Sequence, residues 1–215
     1  MPRQARKAPL LLAVVLCGAT IVQSALAAGS QAMGASAFIK QMGDRAVAAL
    51  AMQGDPRRRD EAFAHLLIDA IDFRALGTAS LGRMARTASV ADKREFTQLF
   101  ATRIIDLAID KFGDLQILRF AVAEAKPLPS GGFTVHTVID RAGGPPLVVD
   151  WHVRDADGKL KINDIEVEGY SLMIHYRGEF ERANVSTVRG VIDKLRGLTA
   201  NSPVLAVVRR EMLLP

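Results

Sequence analysis

The stretch Leu147-Val-Val-Asp-Trp-His-Val-Arg154, continued by Gly158-Lys-Leu-Lys-Ile-Asn-Asp-Ile-Glu-Val-Glu-Gly-Tyr-Ser-Leu172, decides the fold. Along its first part Leu147, Val149, Trp151 and Val153 alternate with Val148, Asp150, His152 and Arg154. A period of two belongs to a strand with one dry face and one wet face. Asp155 to Gly158 supply turn chemistry, and Lys159 to Ile165 form the returning strand. Ser171 then stands where a helix N-cap is needed. The stretch therefore predicts two paired strands feeding a helix.

Working upstream, the spacing predicts strands over Gln116 to Ala125 and Phe133 to Asp140, broken by Pro127 to Gly132 and Arg141 to Pro146. Loops this short dictate antiparallel neighbours. Val135, Thr137 and Ile139 share the dry face, while His136, Val138 and Asp140 share the wet one. Further upstream the period becomes helical. Phe38, Ile39, Met42, Ala46, Ala49 and Leu50 mark a first helix, and Asp55 with Pro56 caps a second, whose buried face is Phe63, Leu66, Leu67, Ala70 and Ile71. Arg57, Arg58 and Arg59 lie on its solvated start. The region from Gly77 to Gly82 is assigned no element.

Ser89-Val-Ala-Asp92 then resembles a capping box before the strongest helix, Ala91 to Phe112. Phe96, Leu99, Phe100, Ile104, Leu107 and Ala108 fill one arc of it, widened by Ala101, Ile105, Ile109 and Phe112. An apolar surface over more than half a helix circumference needs contacts on two sides. One side can be the sheet and the other a ligand. Helices are also predicted over Ser171 to Ala183 and Val185 to Leu195, while Asn201 to Pro215 is assigned no element. The fold class is α+β, with helices against a twisted antiparallel sheet of about four strands.

The chain begins with Arg3, Arg6 and Lys7, an apolar run from Leu10 to Leu16, and the small-x-small triplet Ala25-Leu26-Ala27. This is the pattern of a cleaved secretory leader over residues 1–27. A spanning helix needs about 20 apolar residues, whereas Gly18, Thr20, Gln23 and Ser24 interrupt this run. Cleavage removes Cys17, the sole cysteine, so no disulfide is available in an oxidising compartment. Leu16 precedes Cys17 where lipidation requires a small residue. Residues 28–215 suit a single domain able to bury its own core. Without the leader's three basic residues, 25 Lys and Arg face 23 Asp and Glu, a net of +2. With one Trp and two Tyr besides, the chain lacks a phosphate-tracking surface and stacking platforms, so nucleic acid is not an expected partner.

The chain carries few groups arranged for chemistry. His65, His136, His152 and His175 fall on separate elements without metal-ligand spacing, so neither a metal nor a cofactor is expected. His136 and His152 are placed opposite one another on the wet sheet face, with Asp150 beside them, as a solvated polar patch. Gly169-Tyr-Ser171-Leu-Met lacks the second glycine of a hydrolase elbow. Glu166 and Glu168 read as solvated or capping carboxylates, and Gly143-Gly-Pro-Pro146 as a turn.

Val149-Asp-Trp-His-Val, Lys161-Ile-Asn-Asp-Ile-Glu-Val-Glu-Gly-Tyr-Ser-Leu172, Tyr176-Arg-Gly-Glu-Phe180 and Gly190-Val-Ile-Asp-Lys-Leu-Arg196 occur in an order that resembles the MlaC, or toluene-tolerance, family of periplasmic lipid-binding proteins. Phe38-Ile-Lys-Gln-Met-Gly, Phe63 with Leu66 and Leu67, Leu81-Gly-Arg83, and Arg94-Glu-Phe96 with Phe100 extend the likeness, which spans Phe38 to Leu198. The resemblance implies an apolar pocket for acyl chains. It also implies a periplasmic shuttle between an outer-membrane lipoprotein–porin complex and an inner-membrane ABC transporter with an MCE-domain subunit. Tyr170 stands where the family often has a smaller apolar residue, and the tail after Leu198 is longer than the family's.

Two acyl chains carry roughly 30 methylenes, and at about 0.8 kcal/mol each their exposure costs on the order of 20 kcal/mol or more. An enclosed apolar cavity avoids that cost. Its expected lining is Val135, Ile139, Val149, Trp151 and Val153 from the sheet, Phe96, Phe100, Ile104 and Leu107 from the long helix, and Leu172 and Tyr176 from the helix that follows. The alternatives are a hopanoid or other polycyclic cargo, a small-molecule enzyme with an inward carboxylate or histidine, and a ligand-free envelope interaction module.

Overall fold

The computed structural model describes residues 15–113, 117–182 and 187–212, with side chains from residue 29 onward. Residues 1–14 of the expected leader lie outside the described residues, as do Gln116, Ala183 and Val185 at the expected ends of elements. The first helix, α1 (Val15–Leu50), is followed by α2 (Pro56–Ala70), α3 (Phe73–Leu81), a 3₁₀ turn over Gly82–Arg86, and α4 (Val90–Phe112). Asp55 accepts the Arg57 amide and Ser89 accepts the Asp92 amide, so both expected caps form. No helix of the described residues is long and apolar enough to cross a membrane.

The sheet is antiparallel in sequence order: β1 (Ile117–Pro127), β2 (Phe133–Arg141), β3 (Leu147–Ala156), β4 (Lys159–Val167) and the two-residue β5 (Tyr170–Ser171). Helices α5 (Leu172–Arg182), α6 (Val188–Thr199) and α7 (Leu205–Glu211) close the chain. Asp157 and Gly158, with φ of 56° and 81°, make the tight β3–β4 turn, the conformation in which Asp-Gly is favoured between right-twisted strands.

The expected two-faced pattern holds. Val135, Thr137, Ile139, Val149 and Val153 are buried, whereas His136 and Arg154 are exposed. The register differs in one respect. His136 pairs across the sheet with Asp150, and His152 lies opposite Thr134 and Asp164. The β2–β3 loop fixes that offset, which turns a His–His patch into two His–carboxylate pairs.

Two elements exceed the sequence reading. The Gly77 region is helical: Asp72 caps α3 by accepting the Ala75 amide, and a Cβ on Gly77 would meet the Phe96 ring at 2.9 Å. Its glycine therefore serves close packing. The tail supplies α7, whose Val207 and Val208 are buried. An aromatic cluster joins α4 and α5, where Phe96 stacks on Phe100 at 5.3 Å and Phe100 meets Tyr176 edge-on at 5.0 Å.

Candidate functional site

At the other end of the inner sheet face the layers do not close. Ile139 and Val149 are only 5% and 2% exposed, yet both stand outside the packed cluster that contains Val135 and Val153. They face a cavity of about 330 Å³ bounded by α1, α2, α4, the sheet and the start of α5. An engineered apolar cavity of about 150 Å³ already takes benzene, so this one suits a larger apolar guest.

Each wall follows from its residues. In α4, Ile104, Leu107, Ala108 and Lys111 recur at helical spacing on one face. From α1 come Met42, Gly43, Ala46, Val47 and Leu50. A Cβ on Gly43 would run into the Phe120 ring, so glycine here lets β1 approach the helix. Ser36 holds the same junction, donating to the Ala123 carbonyl and accepting the Ala125 amide where β1 departs from regular pairing.

Trp151 is the largest sheet residue of the lining. Its indole N–H donates to Thr137 Oγ1 at 2.9 Å, and that hydroxyl donates to the Val149 carbonyl at 2.9 Å. Both inward polar groups are satisfied, so the wall offers a ligand an apolar ring instead of an unpaired donor. The remaining polar side chains of the lining are Lys111, Tyr170 and His175. Among the described residues no carboxylate belongs to it.

Of the eleven side chains expected to line a pocket, Ile104, Leu107, Ile139, Val149, Trp151 and Leu172 border this cavity. Phe96, Phe100, Val135, Val153 and Tyr176 lie instead in the packed core, each 5% exposed or less. Phe100 and Ile104 sit one turn apart on α4, but α5 brings Tyr176 and Phe180 against the Phe100 end. The same burial pushes the Tyr176 phenol above its ordinary pKa. The α1 wall, Phe120, Ile165, Val167, Lys111 and His175 were not anticipated. Their one sequence signal was the small pair Gly43 and Ala46 inside a helical stripe.

Apart from His175 on the lining, the groups an enzyme reading would need face elsewhere. His136 Nδ1 lies 2.7 Å from Asp150, and His152 lies 3.4 Å from Glu166, both on the outer face. Ser171 Oγ donates to Asp164 Oδ2 at 2.5 Å and accepts the Ile174 amide, while Asp164 Oδ1 accepts the Met173 and Ile165 amides. That network caps α5. Glu168, at φ 51°, turns the chain into β5 and accepts the Val148 amide.

A larger, open groove of about 810 Å³ runs along the outer side between α3, α5 and β3–β4. Its walls mix polar and apolar side chains, and Asp72, Asp155, Asp164 and Glu166 are all engaged in caps, turns or the His152 pair. The groove is therefore accounted for by local structure. The smaller cavity is the candidate site, because its lining is almost wholly apolar and Ile139 and Val149 within it stand outside the packed core.

One twisted antiparallel sheet, helices over its inner face and an apolar cavity open at one end define an α+β ligand-binding fold. The family model described as MlaC protein matches residues 40–197, and the chain belongs to that family. Among solved structures it is similar to the phospholipid-binding protein from Ralstonia solanacearum in complex with a phospholipid. The TM-score is 0.66 at 19% identity, covering 80% of this chain and 98% of that one, a likeness of fold. No curated protein matches the chain.

Proposed function

We propose that this protein is a periplasmic phospholipid carrier, exported by a leader cleaved after Ala27. It holds acyl chains in the cavity and passes them between an MCE-type ABC transport complex of the inner membrane and a lipoprotein–porin complex of the outer membrane. The observation that carries the reading is the cavity itself: Ile139 and Val149 border it from the inner sheet face and stand outside the packed core cluster. Such a surface is stabilised by an apolar guest. Family membership and the phospholipid-bound relative support the choice of guest. Binding rather than catalysis is supported by a lining without carboxylates and by acid–base pairs on the opposite sheet face.

The test is mass spectrometry of an organic extract from protein purified without detergent, with native mass spectrometry of the same sample. Near-stoichiometric phospholipid is expected. A hopanoid at that stoichiometry replaces the phospholipid as cargo. A protein that stays empty after incubation with phospholipid vesicles overturns the carrier reading and favours a ligand-free interaction module.

A further inference from the structure

We propose that Lys111 and His175 form an anion subsite on the cavity wall that takes the phosphate of the lipid headgroup. The inference rests on the carrier reading and adds to it a charge recognition that an apolar cavity alone does not provide. Lys111 comes from the last turn of α4 and His175 from the first turns of α5, so two separate elements bring nitrogen bases to one cavity.

The surroundings of His175 set it apart from the other histidines. His65, His136 and His152 each lie within reach of a carboxylate, at 3.8, 2.7 and 3.4 Å. Among the described residues His175 has no such partner, and Lys111 makes no ion pair. The local helix explains only part of this. A lysine in the last turn complements the dipole of α4, but a base near the start of α5 sits at the end where a dipole favours anions. Neither requirement explains why both side chains border an apolar cavity that no carboxylate lines.

The missing partner is a ligand anion. A phospholipid places one phosphodiester at the junction between two acyl chains and water, where these side chains stand exposed at the edge of an apolar lining. A diacylglycerol offers the same chains without the charge. An amine on the headgroup finds no carboxylate in the lining, so the phosphate is the group that is read. Both side chains are exposed, which keeps the discrimination modest.

The experiment incubates the delipidated full chain with mixed vesicles of phosphatidylglycerol and diacylglycerol of matched acyl chains. Uptake of each is read by native mass spectrometry and normalised to vesicle composition. One exposed charge contact from Lys111 and a hydrogen bond from the His175 ring give a preference of about tenfold for the phospholipid. That ratio is expected to fall toward one in Lys111→Met/His175→Gln, to survive in Lys111→Arg, and to be unchanged in Arg58→Gln on the solvated start of α2. Equal uptake of both lipids by the wild type, or an unchanged ratio in the double variant, overturns the subsite while leaving the carrier reading intact. Oleate vesicles distinguish phosphate from any carboxylate, and oleate loading as well as phosphatidylglycerol overturns the phosphate assignment. Failure of the wild type to load either glycerolipid removes the carrier reading itself.

Discussion

Ala108→Phe separates a cavity kept open for a guest from a packing defect. Ala108 lies on the α4 face between Ile104 and Lys111, all three on the cavity wall. A phenyl ring needs about 150 Å³, a little under half of the 330 Å³ present. At about 24 cal/mol per Å³, filling that volume relieves roughly 3.5 kcal/mol of cavity cost. Strain of about 1–3 kcal/mol opposes it, and an open mouth lowers the relief further. The delipidated variant is therefore expected to gain about 1 kcal/mol, a rise of roughly 2–4 °C for a domain of this length. For the lipid the sign reverses. Excluding four or five methylenes at about 0.8 kcal/mol each weakens retention by roughly a hundredfold or more. Calorimetry of delipidated protein and native mass spectrometry of protein from cells measure the two effects. A variant that folds like the wild type and still carries the same lipid at the same stoichiometry refutes the assignment of this cavity as the site.

Trp151→Ala is expected to lower lipid retention and Arg58→Ala to leave it unchanged, checked by extraction and native mass spectrometry. Trp151→Phe, which drops the bond to Thr137 and part of the ring but keeps an aromatic wall, should retain most of the cargo. Asp164→Ala removes a buried carboxylate with three partners and is expected to cost roughly 2–4 kcal/mol in urea unfolding; a loss below measurement error would show that the α5 cap is dispensable. Burial holds the Asp106 carboxyl above its usual pKa, with the Ser202 hydroxyl opposing and Asp110 adding to the rise. The folded state thus binds that proton more tightly than the unfolded state, so this contribution is present below the unfolded pKa and lost as pH rises through the folded one. Asp106→Asn should match the wild type in acid and exceed it at neutral pH by no more than about 1 kcal/mol. The opposite ordering in denaturation curves at the two pH values would contradict the assigned cause.

Alternation in β2 and β3 was legible because it is a local property: a strand with one buried face must repeat every two residues. The Asp55 and Ser89 caps were legible for the same reason. What escaped was decided by distant packing. α3 was hidden because Gly77 looks like punctuation, and only the Phe96 ring 2.9 Å from its absent Cβ explains it. His136 found Asp150 instead of His152 because register depends on how a loop closes, not on either strand's pattern. The cavity was half legible. Phe100 and Ile104 carry the same signal on α4, and the arrival of Tyr176 and Phe180 from α5 assigns one to the core and leaves the other on the wall. Lys111 and His175 carried no signal, since an isolated Lys or His on a helix is ordinary.

Trp151 stands at a frontier along β3, with Val149 bordering the cavity on one side and Val153 sealed in the core on the other. The two ends of the strand consequently answer to different selective pressures. Toward Val153, shape is dictated by folding, and a changed methyl group shows itself as altered stability. On the proposed carrier reading, shape toward Val149 and Ile139 is dictated by what the cavity must hold, and a changed methyl group shows itself as altered cargo. Evolution can therefore retune the length or bulk of the guest by drifting the residues on one side of a single indole, while the other side keeps the protein folded.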